Sequence, residues 1–306
     1  MRVGVIDQGT NSTRLLIADV ADGRVAEVER RTKVTRLGEG LEASGRIGDA
    51  AIERVVDAVA GYRALLDEHG AERVTCVATS AMRDAANGAE LADLLRERFD
   101  VDPRVISGDE EARLTFLGAT SGRAERDPTL VIDIGGGSTE FVEGRPGAEP
   151  AFHVSTRMGS VRHTERHLHE DPPADEELAA LAADADAVIA AEVPAPVRDE
   201  VARGIAVAGT PTSLAAIEQR LDPYDPERVH GYVLGRAACE EMLEMLAALP
   251  VAERREVAGL HPDRAPTIVA GVAILIRSMD AFGLAEIEVS EADILHGAAL
   301  DMPLSR

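Results

Sequence analysis

Lysine is almost absent from this 306-residue chain: Lys33 is the only one, and arginine supplies every other basic charge. The simplest reading is biased coding, since alanine, arginine, glycine and aspartate are all abundant; a salt-tolerant acidic surface is the alternative. Cysteine is scarce too. Cys76 lies in an apolar, strand-like run and Cys239 in a helical one, which excludes a disulfide scaffold and fits buried small side chains in a reducing compartment. No apolar run spans a bilayer, because the longest, 265–276, is too short and is closed by Arg277. The first strand begins almost at residue 1, leaving no room for a signal peptide, so a cytoplasmic protein is expected. An excess of basic charge is also missing. Lys+Arg 32 against Asp+Glu 55 gives a net charge of −23, which disfavours nucleic-acid and membrane surfaces and requires a local basic patch for any anionic ligand.

What the chain does have is one glycine-rich pattern written twice, 126 positions apart. The first copy is Val3-Gly4-Val5-Ile6-Asp7-Gln8-Gly9-Thr10-Asn11-Ser12-Thr13-Arg14, and the second Leu130-Val131-Ile132-Asp133-Ile134-Gly135-Gly136-Gly137-Ser138-Thr139-Glu140. Each is a β-branched run ending in Asp, then Gly with Ser/Thr, then a second apolar run, which reads as a hairpin with a turn too glycine-rich to serve packing alone. Glycine lets backbone amides approach an oxyanion, and successive amides form an anion nest. Gly9, Thr10, Asn11, Ser12 and Arg14, with Gly135, Gly136, Gly137, Ser138 and Thr139, are the candidate phosphate contacts. Asp7 and Asp133, at equivalent strand ends, are the candidate metal ligands, because Mg²⁺ prefers one or two carboxylates together with water and substrate oxygens.

The rest of the chain repeats an α/β plan. Apolar residues Ile52, Val55, Val56, Val59, Tyr62, Leu65 and Leu66 recur at helical spacing and predict a helix over 49–70. Strands are predicted at 74–78 and 104–107, a helix capped by Ser80 through 98, and another over 110–119. In the second half, strands are expected near 151–155, 205–208 and 286–289, and helices over 175–192, 235–249 and 262–282, with a last one from 291. A length of 306 residues allows two domains. The division expected is an N-terminal α/β domain over 1–125 and a C-terminal one over 126–306, with the ligand between them and the last helix free to pack back on the first domain.

Three further segments bear on chemistry. Ser107-Gly108-Asp109-Glu110-Glu111-Ala112-Arg113-Leu114 places acids at a helix entry, where capping explains some of them and one carboxylate could orient a water. Glu140, beside the second turn, is another candidate for that role. The basic patch has two sources: Arg83, just inside a helix start, and residues 153–169, with Arg157, Arg162, Arg166 and four histidines; Lys33, Arg36 and Arg264 could add to it. Those histidines lack zinc spacing and read as surface groups or minor phosphate contacts. Gly209-Thr210-Pro211-Thr212-Ser213 is a strand-to-helix turn without the ending of a P-loop, and Gly209 and Thr210 are expected to contact a nucleoside or a distal phosphate.

At these residues the chain resembles the exopolyphosphatase/guanosine pentaphosphate phosphohydrolase family in its short, two-domain form. That family belongs to the actin-like ATPase superfold shared with acetate and sugar kinases. Residues 7–16 and 131–141 are similar to its two phosphate motifs. Ala78-Thr79-Ser80-Ala81-Met82-Arg83-Asp84 and residues 107–114 match two more, as do Arg36 to Leu41, Met158 to Arg162 and Ala208 to Thr210. The resemblance implies a duplicated ribonuclease H-like (actin-like) α/β fold with an interdomain cleft. It also implies Mg²⁺- or Mn²⁺-dependent release of orthophosphate from inorganic polyphosphate, with Glu111 as the catalytic base. Guanosine pentaphosphate, which would link the chain to the stringent response, is the alternative substrate, other nucleotides are further candidate partners, and a non-catalytic sensor is a third reading. The oligomeric state is open, a homodimer included. Two departures stand out. The chain lacks the helical C-terminal region of long members, so short polyphosphate is expected to be favoured. Gln8 stands where a hydrophobic or Cys residue is usual, a change expected to be benign.

Overall fold

The computed structural model describes residues 1–124 and 127–302. Its contacts fall into two compact units: residues 1–124 with 293–302, and residues 127–292. The expected boundary at 125/126 lies outside the described residues. Among the described residues no helix is long and apolar enough to cross a membrane.

The first unit is built on five strands, β1 (Arg2–Gln8), β2 (Ser12–Ala21), β3 (Arg24–Val34), β4 (Arg73–Ala78) and β5 (Pro103–Val105), in the spatial order β3-β2-β1-β4-β5. β1, β2 and β3 pair antiparallel, while β1–β4 and β4–β5 are parallel. Side chains alternate across the sheet. Ile6, Leu15 and Ile17 face a core shared with Val55, Val59 and Leu66 of the Asp49–Glu68 helix. Val3, Val5, Leu16, Ala18 and Val20 face a second core with Leu114 and with Ile294, Leu295 and Ala298 of the chain's last helix, Ile294–Asp301. That helix crosses the Gly108–Thr120 helix closely: a Cβ on Gly297 would meet the Leu114 carbonyl oxygen at 1.8 Å, and one on Gly118 the Asp293 carbonyl oxygen at 1.9 Å.

The second unit repeats the plan with β6 (Thr129–Ile134), β7 (Thr139–Gly144), β8 (Phe152–Thr156), β9 (Arg203–Val207), β10 (Val233–Gly235) and β11 (Glu286–Val289), ordered β10-β11-β9-β6-β7-β8. β6, β7 and β8 are again antiparallel, with β9 parallel to β6. Leu130, Ile132, Ile134 and Phe141 pack with the Gly209–Glu218, Arg236–Ala247 and Ile268–Ala281 helices, and Phe141 stacks on Phe282 with ring centroids 5.8 Å apart.

Four local expectations are corrected. The helix expected from Ser80 to residue 98 is two helices, Ser80–Asp84 and Gly88–Phe99, with Thr79 at the first cap. The break is fixed by Asn87, whose buried amide bonds both the Ile47 N–H and its carbonyl, and by Gly88, where a Cβ would meet the Met82 carbonyl oxygen at 2.2 Å. Ser107 does not extend β5 but caps the next helix, accepting from the Glu110 N–H. Pro262–Arg264 is a separate 3₁₀ turn ahead of Ile268–Ala281. The last helix begins at Ile294, because the Asp293 side chain accepts from the Leu295 N–H and sets its start.

Candidate active site

Both glycine turns close in the same way. The Gly9 N–H donates to the Ser12 carbonyl at 3.0 Å, and the Gly135 N–H to the Ser138 carbonyl at 3.0 Å. In the first unit the Thr10 carbonyl then accepts from the Gly38 N–H, and the Asn11 carbonyl from the N–H groups of Thr35 and Arg36. A trans peptide points its N–H opposite its C=O, so the amides of Asn11 and Ser12 face away from the 35–38 segment. In the second unit a helix plays that part. The N–H groups of Ser160, Val161 and Arg162, opening the Ser160–His167 helix, donate to the carbonyls of Gly135 and Gly136, and Arg162 Nε donates to the Gly137 carbonyl at 2.9 Å. The amides of Gly136, Gly137 and Ser138 are thereby turned away from the helix, an array of donors suited to phosphate oxygens.

The carboxylates beside the two turns have opposite surroundings. Register pairs Asp7 with Arg14 and Asp133 with Glu140, so the second position of each pair is the same place in the two hairpins. In the first unit Arg14 Nε and Nη2 donate to Asp7 Oδ2 at 2.9 and 2.7 Å, and Arg14 Nη1 donates to Asp293. Arg14, expected on phosphate, is instead the cation between two buried acids. Burial pushes the Asp7 carboxyl up, Arg14 pulls it down, and the neighbouring Asp293 adds to the rise. Asp293 lies below the ordinary carboxylate range: burial raises it, but Arg14, Arg30, His296 and the Leu295 N–H outweigh that. Asp7 Oδ1 is buried and makes no hydrogen bond. In the second unit, two buried carboxylates, Asp133 and Glu140, share one sheet face, with Glu140 Oε1 accepting from Ser155 Oγ at 2.6 Å.

Arg83 and Glu111, from separate motifs, come together. Arg83 Nη1 donates to the Ile106 carbonyl at 2.8 Å and lies 3.3 Å from Glu111 Oε2. Glu111 is buried on the inner side of its helix, whereas Glu110 is turned outward to Arg104. The first turn joins this region through Thr10 Oγ1 and Ser80 Oγ, 2.8 Å apart.

Several expected contacts are used elsewhere. Thr210 is buried, with its hydroxyl packed against Gly271. The Arg264 guanidinium packs against Gly209, where a Cβ would require it to move aside. His163 is not a surface group: it is fully buried, and burial, helped by the nearby Arg166 and opposed by the Asp184 carboxylate, lowers its imidazole pKa to about 4. His167 is half-buried on Asp184, while His153 and His169 are exposed. Gln8 is fully buried, and neither of its amide atoms has a hydrogen-bond partner. Both cysteines are free and buried, with burial pushing Cys239 up to about 12. Asp293 was missed because it stands 279 positions from Arg14 and carries no motif.

Comparison with known proteins agrees with this geometry. The sequence profile of the Ppx/GppA phosphatase family matches residues 16–306. The chain is 38% identical over 320 residues to exopolyphosphatase 2 of Mycobacterium tuberculosis, covering 98% of each. It is similar to the crystal structure of an exopolyphosphatase from Cytophaga hutchinsonii (TM-score 0.88, 29% identity, 98% of each chain). It is also similar to that of the Aquifex aeolicus Ppx/GppA family member (TM-score 0.82, 30% identity, 98% of this chain and 96% of that one). The repeated β3-β2-β1-β4-β5 plan, the paired amide turns and these matches together make the chain a phosphatase of actin-like fold, a member of the Ppx/GppA family.

Proposed function

We propose that this phosphatase removes terminal orthophosphate from inorganic polyphosphate, favours short chains, and requires Mg²⁺ or Mn²⁺. The observation that supports the substrate class is repetition. Two amide-lined turns with the same 3.0 Å closure suit a ligand that itself repeats one anionic group. The names of the relatives from M. tuberculosis and C. hutchinsonii point the same way.

The residues fit a hard divalent cation. In the second unit Asp133 and Glu140 put two buried carboxylates on one sheet face, the oxygen donors that Mg²⁺ prefers; in the first unit Asp7 offers a buried oxygen without a hydrogen bond. When bound, the cation would neutralise charge on phosphate oxygens as the phosphoanhydride breaks. The amides of Asn11, Ser12, Gly136, Gly137 and Ser138 hold phosphate oxygens with donors already oriented, so no reorganisation is required during reaction. Glu111, fixed by Arg83, orients the attacking water and accepts its proton; the water oxygen bonds to phosphorus as the bridging oxygen leaves. A surface of charge −23 repels the far end of a long polymer, which favours short ones.

The test is phosphate release from short polyphosphate, long polyphosphate, guanosine pentaphosphate and ATP, with Mg²⁺ and after exhaustive chelation. The expected result is the highest kcat/KM per chain on short polyphosphate and no release after chelation. Full activity after chelation overturns the cation. A higher kcat/KM on guanosine pentaphosphate transfers the assignment to that substrate. Tight binding of polyphosphate without turnover makes the protein a sensor.

A further inference from the structure

The Ser160–His167 helix carries His163 and His167 one turn apart, so both imidazoles project from the same face. Opposite them stands Asp184 of the Asp175–Glu192 helix. His167 Nε2 lies 2.8 Å from Asp184 Oδ2 and His163 Nε2 lies 3.4 Å from the same oxygen; one ligand atom from each of the three residues falls within 4.8 Å of the other two. His163 is fully buried, yet neither of its ring nitrogens makes a hydrogen bond. A buried polar group without a partner is costly, and this one is aimed at a carboxylate and a second imidazole. The polar residues of the Asp7 and Asp133 regions belong to the phosphate chemistry, but this trio takes no part in it.

We propose that His163, His167 and Asp184 form a binding site for a borderline transition-metal ion of the Zn²⁺ type, distinct from the Mg²⁺ chemistry of the phosphate turns. Two imidazoles and one carboxylate are the donor set that such an ion prefers over Mg²⁺, which takes oxygen ligands. Ligands about 2.0–2.1 Å from a tetrahedral ion lie roughly 3.3 Å from one another. The present separations reach that spacing with small side-chain adjustments. Water completes the fourth position. Arg166 Nη1, now 3.2 Å from Asp184 Oδ2, gives way to the ion; its side chain is 36% exposed and has solvent to turn into. Neighbouring Arg162 is already committed to the Gly137 carbonyl.

The site would act at a distance from its own ligands. The helix that carries both histidines is the one whose first amides hold the carbonyls of Gly135 and Gly136. An ion joining this helix to the Asp175–Glu192 helix therefore braces the turn whose amides face away to the phosphate. The ion would be structural, tying the two helices together, and basal Mg²⁺-dependent turnover would not require it.

The experiment uses chelator-stripped full-length protein with Mg²⁺ in excess to fill oxygen sites. Zn²⁺ is added, unbound ion is removed by gel filtration, and bound zinc is measured by mass spectrometry. Co²⁺ substitution is followed by its visible absorption. One Zn²⁺ per chain, a Tm increase of at least about 2 °C and a Co²⁺ band are expected. Asp184→Asn and His167→Gln, both at half-buried positions that tolerate substitution, should lose at least tenfold in Zn²⁺ affinity along with the Co²⁺ band, without losing Mg²⁺-dependent turnover. Equal Zn²⁺ retention by wild type and both variants, or no retention by wild type, overturns the site. None of these readouts depends on which phosphoanhydride is the substrate.

Discussion

Gly159→Ala should cripple the second phosphate turn although the residue contacts no ligand. Its backbone, at φ −151° and ψ 159°, is extended and open to alanine, so conformation is not the obstacle. Space is. A Cβ would lie 2.5 Å from the Gly136 carbonyl oxygen and 2.6 Å from the carbonyl carbons of Gly136 and Gly137, all backbone atoms that cannot rotate aside. Relief requires the turn and the helix start to separate by about 1 Å, because unstrained carbon contacts lie near 3.5 Å. That weakens the bonds from Ser160, Val161 and Arg162 N–H at 2.9, 2.9 and 3.1 Å, each worth about 1 kcal/mol net. A loss of about 2–4 kcal/mol of stability in the second unit is expected. Displacing the amide array by that distance should lower kcat/KM for polyphosphate by on the order of 10²-fold. Denaturant unfolding and phosphate release measure the two effects. Gly61→Ala is the control: it is exposed in the middle of the Asp49–Glu68 helix with nothing within 4 Å of its Cβ. That variant should gain about 0.5–1 kcal/mol with activity unchanged. If Gly159→Ala keeps wild-type stability and kcat/KM, the capping of the turn by this helix is not what orders its amides.

Gln8→Leu removes a buried amide that has no partner, so it should stabilise the first unit by about 1–3 kcal/mol in denaturant unfolding; a destabilised variant would mean that the amide is satisfied in solution. His163, held neutral with a pKa of about 4, gains no proton on folding, whereas the unfolded chain binds one below about 6.5. Stability in chelator is therefore full above about 6.5 and falls as pH drops towards 4, by about 3 kcal/mol across the window. His163→Gln should flatten that slope, and an unchanged slope would assign it to other groups. Glu111→Gln should cost about 10²–10⁴ in turnover while polyphosphate binding survives. Glu110→Gln, which touches only Arg104 and the helix start, should instead lower stability by on the order of 1 kcal/mol with turnover nearly intact. Reversal of that pattern would exchange the two roles.

Much of this was legible in the chain because it was written in local patterns. The two Asp-Gly turns announced themselves by spacing, and the 49–68 helix by Val55, Val59, Tyr62 and Leu66, all of which are buried. The Ser160–His167 helix went unread because its eight residues include one aliphatic side chain, Val161, and no apolar period. It is held by the turn carbonyls, a contact across 25 positions that periodicity does not carry. The same distance hid the nature of His163. A histidine in a basic stretch reads as solvated until the helix bearing Asp184 packs over it. Arg14 reads as a phosphate ligand until Asp293 returns from the far end of the chain to claim it. In each case a side chain's chemistry was evident and its partner was not.

The two hairpins differ at several positions, and one of these differences bears on the division of labour. Arg14 and Glu140 occupy the same place in the ladder, each beside its turn's Asp. Arg14 is bonded to both Asp7 and Asp293, so the Asp beside the first turn is paired within the protein. Glu140 places a second carboxylate beside Asp133, so the second turn presents amides next to two buried acidic side chains. A duplicated fold with two identical anion sites would grip a phosphate chain equally at both. Here the two turns differ: the first carries its Asp on an arginine, and the second sets a glutamate beside its Asp. On the function proposed above, the exchange of arginine for glutamate at this ladder position is what would place the cation at the second turn. Arg14→Gln should accordingly leave Asp7 uncompensated, lower stability by about 3–5 kcal/mol as a buried pair is broken, and make the first turn sensitive to added Mg²⁺. Differential unfolding with and without Mg²⁺ reads this directly; a variant whose stability gains no more from Mg²⁺ than wild type does would show that charge at this ladder position does not set the cation preference.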